Sequence, residues 1–277
     1  SYLHLGRNMI NFMHTKSQRP LSIIGLTATA SFDVLADVER ELTLGGNLTI
    51  DSETIVRPES DARPELTYRI VEVRSNFDEL REPSEQYVLK AKSDWELKDV
   101  VATEKKNRMY SLIHEIPSDI ALLNQNETTK TKVAHIPGFE SDCFFAPDST
   151  QHYPNAGIIF CPHAHGTFGV EDNVWGTRTG ISTELRANGQ DLVIGTFVGG
   201  DHPSGDMKLF NENEQSVMVA TKAFGMGIDK PNIRCTIHVN HPSSIESYVQ
   251  EAERGKKKKK HAISYVLFDP TEYIELT

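Results

Sequence analysis

From residue 157 onward, short apolar segments alternate with amphipathic ones, and this rhythm limits the folds open to the chain. The predicted strands cover residues 157–161, 192–197, 216–220, 235–239 and 262–267, and the predicted helices between them cover residues 181–187, 207–210 and 245–254. Short apolar runs bounded by turn residues are typical of buried strands. Strands that alternate with helices imply right-handed βαβ crossovers and a parallel sheet covered on both faces. The sequence therefore predicts a doubly wound α/β domain.

The residues before this region predict a separate structural part. An apolar segment over residues 22–30 predicts a strand, with amphipathic segments on both sides of it. Residues 48–62 are polar and irregular, and a new strand-like segment follows Pro64. A polar connection between two apolar regions is typical of a domain boundary. We therefore expect one domain over residues 1–63 and a second over residues 64–277.

Within the second domain, residues from about 76 to 153 predict a polar insertion. The first part of this stretch is highly charged, and the last part is rich in Thr, Asn, Asp, Ser and Pro. Met109, Leu112 and Ile116 are spaced as on one face of a helix, so one helix is expected inside the insertion.

Composition excludes two classes of protein. The chain has 277 residues, of which 38% are hydrophobic, and this supplies enough apolar surface for a buried core, so whole-chain disorder is excluded. No apolar run approaches the roughly 18–20 residues of a membrane-spanning helix. We expect a cytoplasmic protein without a membrane partner. A formal charge of -10 still permits a locally basic cleft on an acidic body.

The cysteines and histidines do not form a metal pattern. Cys143, Cys161 and Cys235 are widely spaced, and no CxxC pair occurs. We expect buried thiols rather than a disulfide framework or a zinc site. His163 and His165 lie near one cysteine without a second cysteine pair, so we interpret them as loop histidines and assign no metal ligands.

The strongest candidate site covers residues 217–234, where a predicted strand leads into a turn that contains glycine. Thr221 can donate to a backbone phosphate, and Asp229 can accept from a ribose hydroxyl. Gly225 and Gly227 allow a ligand to approach closely. Ligands of open α/β sheets bind at the carboxyl edge, so the sequence places the whole turn there. The alternative is a structural turn, since glycine-rich turns after strands are common.

Two further blocks carry hydroxyl or charged side chains. Residues 25–31 include Thr27 and Thr29 where a predicted strand meets a helix, and such a segment can relay a phosphate-dependent shift between two lobes. A helix cap packed on a sheet explains the same residues. Residues 243–254 end in Arg254, a cation that can stabilise charge on a transferring phosphoryl group. The helix dipole favours a cation there in any case.

In this order, the blocks resemble the RecQ-like helicases of superfamily 2. Residues 223–231 read Ala-Phe-Gly-Met-Gly-Ile-Asp-Lys-Pro and are similar to the RecQ version of helicase motif V. Residues 26–30 are similar to motif III, residues 157–161 to motif IV, and residues 244–251 to the start of motif VI. The resemblance covers most of the chain outside the polar insertion.

The resemblance implies a RecA-like doubly wound parallel sheet, the second motor domain of a helicase, over residues 64–277. It implies that residues 1–63 are the C-terminal part of the first RecA-like domain and a linker. The family couples ATP hydrolysis between the two domains to 3′-to-5′ movement along single-stranded DNA and to duplex unwinding. The implied partners are ATP, Mg²⁺, and single-stranded and duplex DNA, for a protein that we expect to be monomeric.

The resemblance also implies roles for individual residues. Contacts with DNA are implied for Thr221, Lys222, Phe197 and Gly199. Contacts with the nucleotide are implied for Asp229, Gly227 and Arg254, catalysis for Gln250, Arg254 and Lys257, and coupling between the lobes for Thr27 and Thr29. A phenyl ring at position 197 could stack on a base, although a simple strand-end turn explains this segment equally well.

Two departures from the family pattern bear on activity. No GxxxxGK[ST] phosphate loop occurs, so we expect ATP and Mg²⁺ to be bound mainly by an upstream part, and the chain alone to lack ATPase activity. The family pattern Gln-x-x-Gly-Arg-x-Gly-Arg has Glu253 and Lys256 at its glycine positions here, and Lys257 at the position of an arginine finger. Lysine keeps the charge but lacks the planar fork that grips phosphate oxygens.

Two other functions stay open on these residues. A non-catalytic nucleic-acid-binding module with a degenerate motor fold would explain the altered finger. A superfamily 2 translocase that acts on RNA or on duplex DNA would carry the same blocks. The lysine run over residues 256–260 is either a solvated loop or a contact to backbone phosphates.

Overall fold

The computed structural model describes most of the chain after residue 63. The described residues are 64–76, 81–82, 85–89, 94–125, 144–188, 192–199, 205–225, 230–256 and 260–273, together with Asn8, Asn11, Phe12, Ala36, Glu39 and Arg40. Contacts divide the chain into two compact units, Ser1–Ala62 and Arg63–Thr277. The strand predicted over residues 22–30 lies outside the described residues, and the assignment of residues 1–63 to a first motor domain stays a prediction.

Six strands form one sheet in which every neighbouring pair is parallel. In chain order the described strands are β1 (Leu66–Glu72), β2 (Arg81–Glu82), β3 (Glu85–Leu89), β4 (Ala156–Cys161), β5 (His163–His165), β6 (Gly169–Glu171), β7 (Ile194–Phe197), β8 (Val217–Thr221), β9 (Ile233–His238) and β10 (Ala262–Phe268). The order across the sheet is β1-β10-β9-β4-β8-β7. Two small pairs lie outside it, β2 with β3 antiparallel and β5 with β6 parallel. The parallel sheet predicted from the sequence is confirmed.

Helices cover both faces of this sheet. In the part of the chain after residue 63 that is described, they are α1 (Asp94–Gln125), α2 (Ile181–Asn188), α3 (Gly205–Asn211) and α4 (Ile245–Ala252). Successive strand residues point to opposite faces. Ile159 therefore belongs to the core shared with α1 and α2, whereas Phe160 packs in a second core with Phe210 of α3. Tyr248 of α4 contacts His238, which stacks on Phe160. The doubly wound arrangement is confirmed.

Helix α1 lies inside the stretch predicted as a polar insertion. It is 32 residues long, and Met109, Leu112, Ile116 and Ile120 on it are at most 1% exposed. The predicted helix is confirmed, and part of the stretch is core, because a few apolar side chains at helical spacing bury one face while many charged ones keep the average composition polar. Despite this length, no helix among the described residues is apolar enough to cross a bilayer.

Two cysteines lie in the core between α1 and the sheet. Cys161 and Cys235 are free and buried, as predicted. Burial raises the pKa of the Cys235 thiol to about 12, so the thiol stays protonated and unreactive at neutral pH. A Cβ on Gly157 would lie 2.8 Å from Cys235 Sγ, which explains a glycine inside a buried strand.

We expect Ile116→Ala to lower the free energy of unfolding by about 2–5 kcal/mol, because this buried side chain fills space between α1 and the sheet. Leu122→Ala is the matched control, since Leu122 lies on the same helix and is 59% exposed; its change should stay below about 0.5 kcal/mol. Urea-induced unfolding followed by circular dichroism measures both values. Equal losses in the two variants would contradict the packing of α1.

Candidate functional site

The loops that follow β7 and β8 meet at the carboxyl edge of the sheet, because these neighbouring strands are parallel. The Gly199 N–H donates to Thr221 Oγ1 at 3.3 Å. A Cβ on Gly199 would lie 2.5 Å from the Ala223 Cβ, so only glycine fits this approach. Lys222 comes next and is exposed at the start of the 3₁₀ turn Lys222–Gly225. The structure thus brings together three of the four residues for which DNA contacts are predicted.

This carboxyl edge offers donors and positive charge to an anion. A hydroxyl that accepts one hydrogen bond can still donate its own hydrogen, so Thr221 can donate to a phosphate oxygen. The exposed Lys222 ammonium adds a positive charge beside it. Contacts of this kind hold a nucleic-acid backbone in position without reading its sequence.

Phe197, the fourth predicted DNA contact, is partly buried and packs against the core. Its ring lies 5.1 Å from the ring of Phe224, centroid to centroid, and Phe224 in turn packs edge-to-face against Phe210. Part of the Phe197 ring is therefore occupied by contact with the core. This favours the explanation of Phe197 as a strand-end residue, and base stacking by it stays a prediction.

Helix α4 carries Gln250, the turn after it carries Arg254, and the helix runs against the direction of the strands. Tyr248 Oη donates to the Ser264 carbonyl oxygen at 3.4 Å. One turn later, Ala252 packs against Ala262 at the amino end of β10. Arg254, two residues further on, therefore lies towards the amino ends of the strands. The predicted site residues that the structure describes fall into two groups, one at the carboxyl edge and one on α4 and the turn after it.

The two predicted residues on the α4 side differ in environment. Gln250 is exposed, whereas Arg254 is half-buried in the 3₁₀ turn Glu253–Lys256. Burial lowers the pKa of Arg254, although the carboxylates of Glu251 and Glu253 oppose this effect. A guanidinium remains charged at neutral pH in any case. The amide of Gln250 on α4 and the guanidinium of Arg254 in the turn after it are groups that suit phosphate oxygens.

Five residues with predicted roles lie outside the described residues, and their roles stay predictions: Gly227, Asp229, Lys257, Thr27 and Thr29. His163 and His165 form strand β5, which pairs with β6, so their interpretation as loop histidines is wrong. His165 is exposed, and its Nδ1 lies 3.8 Å from Glu171 Oε2. Within the described ranges, no three His, Cys, Asp or Glu side chains are grouped so that they could hold a metal ion.

A buried pair that the sequence does not reveal, His238 with Glu251, attaches α4 to β9. The His238 ring is 1% exposed and packs against Phe160 and Tyr248, with centroids 5.0 Å from each. His238 Nε2 lies 2.9 Å from Glu251 Oε2. Nδ1 faces the Tyr265 carbonyl oxygen at 3.2 Å, and because a carbonyl only accepts, Nδ1 donates.

Lys230, another residue that the sequence analysis does not single out, is a buried cation. It is 2% exposed, and its Nζ donates to the Phe210 carbonyl oxygen and to Asn213 Oδ1, both at 2.5 Å. The ammonium also lies 4.6 Å from the centroid of the Phe210 ring, a cation–π distance. Burial lowers the pKa of Lys230 to about 8, because the charged form is poorly solvated.

The position of Lys230 corrects the placement of the motif V turn. The sequence places the whole turn at the carboxyl edge, but Lys230 contacts Asn213, which precedes β8. Asn232 nearby accepts from the Ala156 N–H at the start of β4, at 2.9 Å. Because β9 is parallel to β8, the connection has to return to the amino edge before β9 begins. Thr221 and Lys230 therefore lie at opposite ends of the sheet.

Comparison with known proteins assigns part of this region to a family. The family described as the helicase conserved C-terminal domain matches residues 202–258, which include α3, β8, β9 and α4. The ATP-dependent DNA helicase RecQ of Haemophilus influenzae is 31% identical over 118 residues, which are 43% of this chain and 17% of that protein. Residues 202–258 therefore match a helicase C-terminal domain, and the domain that contains them is similar to RecQ helicases.

Another curated relative is similar to a larger part of this chain. The ATP-dependent DNA helicase Q1 of Mus musculus is 27% identical over 239 residues, 84% of this chain. The chain spans 17% and 24% of the lengths of these two curated relatives. A solved structure, S. cerevisiae Dbp5 bound to RNA and ADP BeF3, is 11% identical with a TM-score of 0.44, covering 88% of this chain and 44% of that one. The fold assignment rests on the parallel sheet itself.

Removing either member of the His238–Glu251 pair should destabilise the RecQ-like domain, because the other member stays buried without its partner. We expect Glu251→Ala and His238→Ala each to lower the free energy of unfolding by about 2–4 kcal/mol. The double variant should lose less than the sum by at least about 1 kcal/mol. Urea unfolding of the four proteins measures this coupling. Gln250→Ala, exposed on the same helix, is the control, and strictly additive losses would contradict the pairing.

Lys230→Met tests the buried ammonium. The pKa of Lys230 is about 8 in the folded chain, below its ordinary value of 10.5. Between about pH 8 and pH 10.5, Lys230 is protonated more in the unfolded chain than in the folded chain. The free energy of unfolding therefore rises with pH in this range. We expect the free energy of unfolding of the wild type to rise relative to Lys230→Met by roughly 1–3 kcal/mol from about pH 7.5 to about pH 10. The exposed Lys222→Met serves as control. A difference that does not change with pH would contradict the assignment.

Proposed function

We propose that this RecQ-like domain is the second motor domain of an ATP-dependent DNA helicase that moves 3′ to 5′ along single-stranded DNA. The observation that carries the proposal is the separation of two groups on one sheet. Thr221, Lys222 and Gly199 form a phosphate-binding edge. Gln250 and Arg254 form a second polar surface along α4 and the turn after it. A motor needs two such surfaces, one for the track and one for the nucleotide.

On the carboxyl edge, the Thr221 hydroxyl and the Lys222 ammonium would hold consecutive backbone phosphates. These contacts neutralise charge and release counterions, so binding should weaken as salt rises. The glycine at position 199 lets the β7 loop approach β8 closely, since a Cβ there would lie 2.5 Å from the Ala223 Cβ. This grip is independent of base sequence, as movement along a strand requires.

On the α4 side, Gln250, Arg254 and the predicted Asp229 would contact ATP. The donor set fits a polyphosphate, because Arg254 stays charged while half-buried and Gln250 is exposed one turn before it. ATP with Mg²⁺ supplies the bond whose hydrolysis drives movement. A phosphate loop does not occur in this sequence, so we propose that another segment of the motor provides it together with the Mg²⁺-binding carboxylate.

The buried pair between α4 and β9 would couple the two surfaces. Glu251 lies directly after Gln250 and is fixed to His238 at 2.9 Å. β9 pairs with β4, and β4 pairs with β8, which ends at Thr221. Displacement of α4 by a nucleotide would therefore move the phosphate-binding edge with it as one body.

A second candidate, a non-catalytic nucleic-acid-binding module, is favoured by one observation. Glu253 and Lys256 occupy the two glycine positions of motif VI, and Lys257 stands where an arginine finger is expected. A module of this kind would bind single-stranded DNA through the same carboxyl edge but would not turn over ATP.

The test measures ATP hydrolysis by the full-length protein with and without single-stranded DNA. We expect Arg254→Ala to lower DNA-stimulated turnover at least about a hundredfold, with DNA affinity kept within about twofold. Arg74→Ala is the matched control, because the Arg74 side chain is 84% exposed and pairs with its near neighbour Glu72. Unchanged turnover in Arg254→Ala would remove its proposed role.

Strand displacement on duplexes with 3′ or 5′ single-stranded tails tests polarity and substrate. Unwinding from 3′ DNA tails alone supports the helicase. Activity on RNA, or ATPase activity on duplex DNA without displacement, would contradict it in favour of another superfamily 2 translocase. DNA binding without ATP turnover, with no gain in Lys257→Arg, would support the non-catalytic module.

A further inference from the structure

Residues 172–180 follow β6 and form a turn whose two ends are joined by a hydrogen bond. Asn173 Oδ1 accepts from the N–H groups of Thr177 at 2.9 Å and Arg178 at 3.1 Å, and Asn173 Nδ2 donates to Thr177 Oγ1 at 2.9 Å. Gly176 has a φ of 65°, and its N–H donates to the Asn173 carbonyl oxygen at 2.9 Å. The Gly180 N–H closes the base by donating to Asp172 Oδ1 at 2.7 Å. The backbone of this turn is thus held by its own hydrogen bonds.

This turn presents a tryptophan to solvent. Trp175 is 84% exposed and its neighbour Val174 is 86% exposed. On a mobile loop an indole could turn away from water. Here the hydrogen bonds of the turn fix the backbone, and the indole stays exposed. The described part of the chain exposes other large apolar side chains elsewhere: Phe12, Tyr68, Ile70, Leu122, Val193, Leu209 and Ile245. The exposed face of this indole is a platform on which a planar ring of a ligand can stack.

The turn lies at the same edge of the sheet as the phosphate-binding residues. Cys161, the last residue of β4, pairs with Thr221, and β5 begins two residues later. β5 pairs with β6, and the turn follows β6 directly. At its base, the Thr179 carbonyl oxygen accepts from Lys106 Nζ at 3.1 Å, which fixes the turn to the first half of α1.

The size of the exposed apolar surface indicates which kind of ligand it fits. One indole and one valine side chain cover far less than the roughly 800 Å² that each partner of a stable protein complex buries. They are flanked by polar residues, Asn173 and Thr177, rather than by more apolar surface. A single aromatic ring in such a setting matches one unpaired base, which stacks on an aromatic face whatever its identity.

We propose that Trp175 stacks on an unpaired base of the DNA strand whose phosphates contact Thr221 and Lys222. The inference rests on the proposed function, since it requires a single strand at the carboxyl edge. It assigns to Trp175 the stacking role that the sequence suggested for Phe197, whose ring packs on Phe224 instead.

The experiment uses the whole chain and a fluorescein-labelled oligothymidine of about twelve nucleotides, with binding followed by anisotropy. We expect Trp175→Ala to weaken binding about five- to a hundredfold and Trp175→Phe to restore most of it. The slope of log affinity against log salt should not change, because stacking releases no counterions. Leu122→Ala, which removes an exposed apolar side chain from α1, is the matched control and should leave binding unchanged.

Fluorescence gives a second readout that a structural role would not move. The chain has two tryptophans, Trp95 and Trp175. In a Trp95→Phe background the emission of Trp175 should be quenched when unlabelled oligothymidine is added, in proportion to the bound fraction. Quenching of the Trp175 emission, together with the expected loss of DNA affinity in Trp175→Ala, supports the inference.

Three distinguishable results would overturn the proposal that Trp175 stacks on a base. Wild-type binding that Trp175→Ala leaves intact, without quenching, refutes stacking and leaves the proposed function standing. Absence of DNA binding by every variant refutes the proposed function and the stacking together. Loss of self-association in Trp175→Ala by sedimentation, with DNA affinity unchanged, identifies a protein contact instead.

Discussion

All six strands of the sheet run in one direction, and this constraint decides where chemistry can be placed. Every loop that follows a strand leaves from one edge, so the ends of β7 and β8 and the segment after β4 converge there. Gly199 and Thr221 are brought into hydrogen-bond contact by this convergence. The same constraint forces each connection back to the opposite edge before the next strand, which is why Lys230 lies far from Thr221.

Polar contacts that are buried or partly buried tie the covering helices to this sheet. His238 with Glu251 fixes α4, and Asp119 fixes α1 by accepting from Tyr265 Oη at 2.8 Å while Arg69 lies 2.5 Å away. Such contacts add little net stability, because desolvation of the charges offsets their attraction. Their effect is on position: a helix held by a paired charge cannot slide by a turn without leaving that charge unpaired. In the proposed motor, this makes the nucleotide side and the DNA side move together.

Much of the fold could be predicted from local pattern, and the site only in part. Alternating apolar and amphipathic segments are enough to predict parallel strands, and the spacing of Met109, Leu112 and Ile116 predicts α1. Pairings between distant residues leave no such periodic signal. A histidine that ends a strand and a glutamate on α4 become partners only once both elements pack. Trp175 was missed for a related reason, since the turn that exposes it is built by side-chain hydrogen bonds that periodicity does not describe.

Hydrogen–deuterium exchange of the chain, with and without an oligothymidine, tests most directly whether the carboxyl edge receives the DNA strand. Protection on binding should be confined to the loops around residues 197–199 and 221–225 and to the turn over residues 172–178. Residues 211–215, at the opposite edge, should exchange at an unchanged rate. Protection at that opposite edge, with none in the loops after β7 and β8, would contradict the placement of DNA on which the proposed motor depends.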